Sequence, residues 1–94
     1  MSTPQLTTRQ ITFHGHVQGV FFRKTAATFA KDLPVCGYVK NLASGSVEMV
    51  AQGSPDAVAE LLARIMSHFR SNITDCDSVQ RPNDEIYAKF EIQY

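Results

Sequence analysis

The stretch GHVQGVFFR, residues 15–23, places two glycines four positions apart shortly before an arginine. Gly15 and Gly19 allow positive φ values, so a ligand can approach the backbone closely and successive N–H groups can form an anion-binding nest. Arg23 falls in the first turn of what reads as a helix, where its planar, permanently charged guanidinium can grip two phosphate oxygens beside the helix N-terminus. The pattern predicts a phosphate site in this loop.

The same residues also fit a plain strand-to-helix turn in which Arg23 is merely a solvated helix residue. Spacing alone leaves both interpretations open, since the stretch is neither the GxxxxGK[ST] loop of nucleotide-binding proteins nor a GxGxxG fingerprint. The two glycines also match a membrane-dimer motif, but no apolar segment of about 20 residues surrounds them. The phosphate hypothesis therefore depends on where the fold puts this loop.

Hydrophobic periodicity predicts the elements that must position the loop. TRQITFHG alternates as a strand ending at Gly15, and a helical apolar face runs from Phe22 towards Pro34. CGYVKNL and SVEMVAQ predict two strands of a hairpin around the turn ASGS. A second helix is expected to begin at the N-cap Ser54, with Pro55 in its first position. NITDCDSVQ is a weaker strand, and IYAKFEIQY, residues 86–94, alternates as a C-terminal strand.

This order, βαββαβ with a further short strand, predicts an α+β fold with an antiparallel sheet and both helices on one face. Strands joined by a helical crossover run parallel and end at the same edge of the sheet. The exit of the first strand, residues 14–20, and the exit of the second, at Asn41, are therefore expected to face each other. One intervening strand would separate them by roughly 10 Å, which leaves room for a tetrahedral anion.

Composition fits a single domain over residues 7–94 that follows a flexible polar tail, residues 1–6. Lys+Arg and Asp+Glu both number nine, so no net charge attracts the chain to nucleic acid or to an acidic membrane. The N-terminal residues lack the apolar core of a secretory signal, so a cytoplasmic location is expected. Size and patterning favour a monomer. Cys36 and Cys76 are expected to be free thiols, because their spacing and number do not fit a metal site or a disulfide-rich scaffold.

Other polar residues give weaker signals. Three histidines lack the spacing of a metal site, and we expect them to be exposed or locally hydrogen-bonded, the first two on a turn: His14, His16 and His68. Asp75 and Asp77 share one strand face, where solvation is the simplest interpretation. Lys40 either helps to attract an anion beside Asn41 or points away from it, and the sequence leaves both open. No serine, threonine or cysteine has an evident base nearby, so no covalent nucleophile is indicated.

The segments GHVQGVFFR, GYVKN, GSVEMVAQG and FEIQY together resemble the acylphosphatase family across nearly the whole chain. VQGVxFR combined with KN is a much more specific match than either alone. The resemblance implies a ferredoxin-like α/β sandwich that hydrolyses the carboxyl–phosphate anhydride of small acyl phosphates to carboxylate and inorganic phosphate. It also implies direct attack by water, without a covalent enzyme intermediate and without a metal or organic cofactor.

Matched residue by residue, the resemblance assigns phosphoryl binding to Arg23 and positioning of the attacking water to Asn41. The phosphate-binding loop that it implies would offer backbone N–H groups from Gly15, His16, Val17, Gln18, Gly19 and Val20. Two departures from the family pattern are Gln93 before Tyr94, where arginine is common, and the hairpin LASGS, which lacks an acidic residue before its glycine. We expect neither departure to touch the site.

Two alternatives belong to other functional classes. An RNA-recognition domain shares the element order, but it needs exposed aromatic residues on its central strands and a basic face, and SVEMVAQG supplies neither. A regulatory domain that binds a small anion without turnover also fits the pattern. It leaves the presence of both Arg23 and Asn41 unexplained.

Overall fold

The computed structural model describes residues 5–94, so most of the predicted tail lies outside the described residues. Within them the elements are β1 (Thr7–Gly15), α1 (Phe22–Lys31), β2 (Val35–Asn41), β3 (Val47–Gly53), α2 (Pro55–His68), β4 (Ile73–Arg81) and β5 (Phe90–Gln93). This is the predicted element order. No helix of the described part of the chain has the length and apolar character needed to span a membrane.

The strands form one sheet in the order β4-β1-β3-β2-β5. β1 pairs antiparallel with β3 and β4, and β2 pairs antiparallel with β3. The predicted ferredoxin-like fold is confirmed, and β1 and β2 run parallel with β3 between them, as the crossover argument requires. The predicted further strand, β5, pairs in parallel with β2. The sheet is therefore mixed and not wholly antiparallel as predicted.

The core fills the space between the two helices and one face of the sheet. Ile11 and Phe13 of β1 are fully buried there, which confirms the predicted alternation. The predicted face of α2 is buried at four of its five positions, with the fifth half-buried: Val58, Leu61, Ile65 and Phe69, then Leu62. Phe22 stacks on Phe69 with ring centroids 4.4 Å apart and lies 5.0 Å from Phe13. This aromatic contact fixes the first turn of α1, and with it the neighbouring Arg23.

The two helices begin in different ways. At α2 the predicted cap is confirmed, because the Ala57 N–H donates to Ser54 Oγ at 3.2 Å and Pro55 occupies the first turn. At α1 the N-cap residue is Phe21, whose backbone is left-handed (φ 60°, ψ 29°) and whose side chain makes no capping hydrogen bond. The N–H groups at the start of α1 therefore have no side-chain cap.

The C-terminal strand is shorter than the alternation of residues 86–94 predicts, and the expectation was wrong over 86–89. This segment belongs to a connection that crosses the outer, helix-free face of the sheet from β4 to β5. Its polar groups bond to a buried side chain: Gln52 Nε2 donates to the Glu85 carbonyl at 2.7 Å, and the Tyr87 N–H donates to Gln52 Oε1 at 3.0 Å. Gln52 thus takes the place of a neighbouring strand for the Glu85 carbonyl and the Tyr87 N–H.

Candidate active site

The loop between β1 and α1 leaves the sheet at a glycine that tolerates no side chain. Gly15 has φ 123°, and a Cβ placed on it would lie 2.3 Å from the carbonyl oxygen of Asn72. The next N–H, of His16, donates to that same carbonyl at 2.9 Å. Gly19 has φ 76° and open space around it. The positive φ expected at both glycines is confirmed, but Gly15 serves close backbone packing whereas Gly19 faces the site.

A cavity of about 320 Å³ lies where this loop, the start of α1 and the ends of β2 and β5 meet. Its walls are formed by Val17, Gly19, Phe21, Phe22, Arg23, Lys24, Asn41, Ile92 and Tyr94. The structure thus brings Arg23 and Asn41 to one cavity, together with two members of the predicted loop. The other four loop residues do not line it: Gly15, His16, Gln18 and Val20.

Arg23 is oriented by the end of β5. Its Nη1 donates to the Gln93 carbonyl at 3.1 Å, and its Cζ lies 4.8 Å from the ring centroid of Tyr94, within cation–π range. None of the ion pairs within residues 5–94 involves Arg23, so no protein carboxylate neutralises its charge. The expectation that Gln93 and Tyr94 do not touch the site was wrong, because β5 lies beside β2 and ends next to the arginine.

Gln18 holds the loop to the turn that follows Asn41. Its Nε2 donates to the carbonyls of Leu42, at 2.8 Å, and Ser46, at 2.9 Å. The same turn is closed by the Leu42 N–H donating to the Ser46 carbonyl at 2.8 Å. The expectation that the LASGS hairpin does not touch the site was therefore also wrong: its backbone contacts the predicted phosphate loop through Gln18.

His14 lies within β1, on the outer face of the sheet, and not on the expected turn. Its Nδ1 is 2.8 Å from Ser46 Oγ and its Nε2 is 2.9 Å from Asp77 Oδ2. Local hydrogen bonding thus accounts for His14. Within residues 5–94, no group of three or more His, Cys, Asp or Glu side chains is placed to hold a metal ion.

Lys40 faces away from the cavity. Its Nζ is 3.6 Å from Glu48 and 5.7 Å from the Tyr38 ring centroid, on the outer face. Burial and the hydrogen bond to Glu48 raise the pKa of the Tyr38 hydroxyl, so it stays protonated as the donor in that bond. Of the two interpretations of Lys40, the structure supports the outward-facing charge.

Five residues of the cavity wall were not among the predicted site residues: Phe21, Phe22, Lys24, Ile92 and Tyr94. Lys24 follows Arg23 at the helix start, and that position was a usable signal. Ile92 and Tyr94 reach the cavity only because β5 pairs with β2, and no local sequence pattern predicts that pairing. Phe21 directly precedes the predicted helical face, which begins at Phe22, and its left-handed backbone turns its side chain out of the core.

Comparison with known proteins now identifies the family. The acylphosphatase family model matches residues 9–92. The acylphosphatase of Dehalococcoides mccartyi strain CBDB1 is 40% identical over 82 residues, covering 85% of this chain and 90% of that protein. That of Shewanella amazonensis is 39% identical over 79 residues, covering 83% and 87%.

Solved structures agree with the sequence comparison. The acylphosphatase of Bacillus subtilis superposes with a TM-score of 0.84 at 27% identity, covering 96% of this chain and all of that one. The acylphosphatase of Coxiella burnetii gives a TM-score of 0.83 at 29% identity and covers 99% of this chain. By the family match, the sequence identity and the shared fold, this chain belongs to the acylphosphatase family.

Proposed function

We propose that the cavity beside Arg23 hydrolyses the carboxyl–phosphate anhydride of acyl phosphates, releasing carboxylate and inorganic phosphate. The observation that carries this proposal is the meeting of Arg23 and Asn41 in one cavity, where no carboxylate of the described residues 5–94 pairs with the arginine. A free guanidinium attracts a phosphoryl group, and a nearby amide can hold a water molecule against it.

The phosphoryl group would be bound by fixed positive charge. Arg23 offers two N–H donors in a planar fork, held in place by the Gln93 carbonyl. The uncapped N–H groups at the start of α1 and the backbone of the loop add donors on the same side, and Lys24 adds a second cation to the wall. Such preorganised donors stabilise the charge that the phosphoryl oxygens carry in the transition state.

The attacking water would be held by the Asn41 side-chain amide, which projects from the end of β2. As the water oxygen bonds to phosphorus, the bond from phosphorus to the acyl oxygen breaks and the carboxylate leaves with the bonding electrons. Among the described residues the cavity wall contains no Asp, Glu or His, and no Ser, Thr or Cys. The water proton would therefore pass to a phosphoryl oxygen of the substrate, and phosphorus would bond to water directly.

Positioning and electrostatics can carry this reaction because a carboxylate is a good leaving group. Correct orientation of bound reactants is worth several orders of magnitude in rate. The Gln18 bridge supports that orientation, since it joins the phosphate loop to the turn next to Asn41.

We further propose that the protein acts as a monomer in the cytoplasm. Its two cysteines are free, as is usual in a reducing compartment, and its formal net charge is +0. Light scattering after gel filtration should give a mass near 10.5 kDa. A dimer mass would contradict the monomer.

Hydrolysis of benzoyl phosphate tests the assignment. Arg23→Ala and Asn41→Ala should each lower kcat/KM by about a hundred- to a thousandfold, because each removes a preorganised donor. Arg70→Ala removes an exposed arginine outside the cavity and serves as the matched control, with unchanged activity expected. Circular dichroism checks that each variant is folded.

Two results would overturn the proposal. If the folded parent chain does not turn over benzoyl phosphate but binds inorganic phosphate through Arg23, the cavity is a regulatory anion site. If both folded variants keep activity within about tenfold of the parent, the chemistry takes place elsewhere.

A further inference from the structure

The cavity has more room than a phosphoryl group needs. Its volume is about 320 Å³, whereas a water molecule occupies about 30 Å³ of the liquid, so a phosphoryl group with its attacking water fills only part of it. The polar wall residues are Arg23, Lys24 and Asn41, and apart from Gly19 the rest of the wall is apolar or aromatic. This apolar part has no role in binding phosphate.

Phe21 is the unusual member of that wall. It is 77% exposed, whereas the adjacent Phe22 is 2% exposed and packs in the core. Its backbone is left-handed with φ 60°, a conformation that glycine adopts readily and a phenylalanine adopts under strain. Phe21 therefore contributes little to core packing and occupies a backbone position that disfavours it. Strain of this kind is concentrated at ligand-binding positions.

Tyr94 supplies a second exposed ring at the same cavity. It is 98% exposed, and its only described aromatic or cation–π contact is with Arg23, whose Cζ is 4.8 Å from the ring centroid. Lys40 and Gln93 are the last pair of the parallel β2–β5 ladder, so the next residues along the two strands, Asn41 and Tyr94, are neighbours at one edge of the sheet. A ligand held by Arg23 and Asn41 is thus bordered by the Tyr94 ring.

We propose that Phe21 and Tyr94 form an acyl-group subsite that selects aromatic acyl phosphates over small aliphatic ones. This inference rests on the proposed function, because the acyl group enters the apolar part of the cavity only when its phosphoryl group is bound at Arg23. A planar aromatic acyl group can cover apolar surface on the two rings and make offset or edge contacts with them. The methyl group of acetyl phosphate covers much less of that surface.

The test is the ratio of kcat/KM for benzoyl phosphate to kcat/KM for acetyl phosphate. Phe21→Ala should lower this ratio about tenfold, equivalent to about 1.4 kcal/mol of discrimination. Phe21→Tyr keeps the ring and should keep the ratio within about twofold. Ile86→Ala removes an apolar side chain that is 69% exposed and lies outside the cavity, and it should leave the ratio unchanged.

A binding measurement separates recognition from chemistry. Phenylphosphonate and inorganic phosphate are used as competitive inhibitors, and Phe21→Ala should weaken phenylphosphonate relative to phosphate by a similar factor. If Phe21→Ala and Ile86→Ala give the parent ratio while the parent turns over both substrates, the subsite is wrong and the proposed function stands. If the folded parent turns over neither substrate, the proposed function fails, and the subsite with it.

Discussion

Gln18 is the residue whose removal should reveal how the two halves of the site are held together. Its side-chain amide donates to the Leu42 and Ser46 carbonyls at 2.8 and 2.9 Å, across the gap between the loop and the turn beyond Asn41. Gln18→Met keeps the length and much of the volume of the side chain but removes both donors. The loop and the turn then lose this side-chain link.

The size of the effect follows from these contacts. Each carbonyl keeps another partner, since Leu42 also accepts from the Gly45 N–H and Ser46 from the Leu42 N–H. The loss is therefore that of two ordinary hydrogen bonds, about 0.5–1.5 kcal/mol each, or roughly 2 kcal/mol together. For a domain of this size, 1 kcal/mol corresponds to about 4–8 °C in Tm, so Tm should fall by about 8–16 °C.

Activity should fall further than stability alone explains. A displacement of about 1 Å between reacting groups can cost a hundredfold in rate, and Gln18 sets the distance between the loop and the turn next to Asn41. We expect kcat on benzoyl phosphate to fall at least tenfold at a temperature where the variant is fully folded. The change in KM should be smaller, because the proposed phosphoryl-binding group, Arg23, is retained.

The assay is thermal unfolding followed by circular dichroism, combined with steady-state kinetics well below the transition. Gln80→Met changes an exposed glutamine of the edge strand β4 and is the matched control, with Tm within about 2 °C of the parent expected. A Gln18→Met variant with the Tm and kcat of the parent would refute the bridging role. A lower Tm with unchanged kcat would show that Gln18 stabilises the fold but does not position the site.

Two further predictions concern the backbone and a thiol. Gly15→Ala should lower the free energy of unfolding by at least about 2 kcal/mol in denaturant unfolding, because a positive φ and a 2.3 Å approach of the new Cβ to a backbone carbonyl act together. Gly45 has a positive φ but open space, so Gly45→Ala should lower the free energy of unfolding by less. Equal decreases in the two variants would contradict the steric argument. Burial, then the two neighbouring carboxylates, raise the pKa of the Cys76 thiol. In a Cys36→Ser background, alkylation of Cys76 should therefore reach half its maximal rate at a higher pH than alkylation of free cysteine. Asp75→Asn should lower that midpoint pH. A Cys76 midpoint equal to that of free cysteine would contradict the raised pKa.

Local sequence signals predicted most of the fold. The alternation of Ile11 and Phe13, the five-residue apolar face of α2 and the Ser54 cap each depend on residues close in sequence, and each was confirmed. The meeting of Arg23 with Asn41 came from a topological rule, because a helical crossover forces β1 and β2 to end at one edge.

The errors arose where distant parts of the chain decide the structure. Residues 86–89 alternate like a strand, but the Tyr87 N–H and the preceding Glu85 carbonyl are bound by Gln52, which is far away in sequence. The contacts of Gln93 and Tyr94 with Arg23 depend on β5 choosing β2 as its parallel neighbour. The exposed position of Phe21 was not predicted, because periodicity does not reveal a left-handed backbone.

The position of β1 inside the sheet also bears on how the protein folds. Phe13 pairs with Val47 on one side and with Cys76 on the other, so the first strand is completed only by segments made much later in the chain. Each pairing requires closure of a long loop, which costs entropy before any strand contact forms and slows folding relative to a helical bundle. The predicted phosphate loop and Asn41 follow strands that both pair with β3, so the proposed site is assembled late in folding, after the helices and the β2–β3 hairpin can already exist.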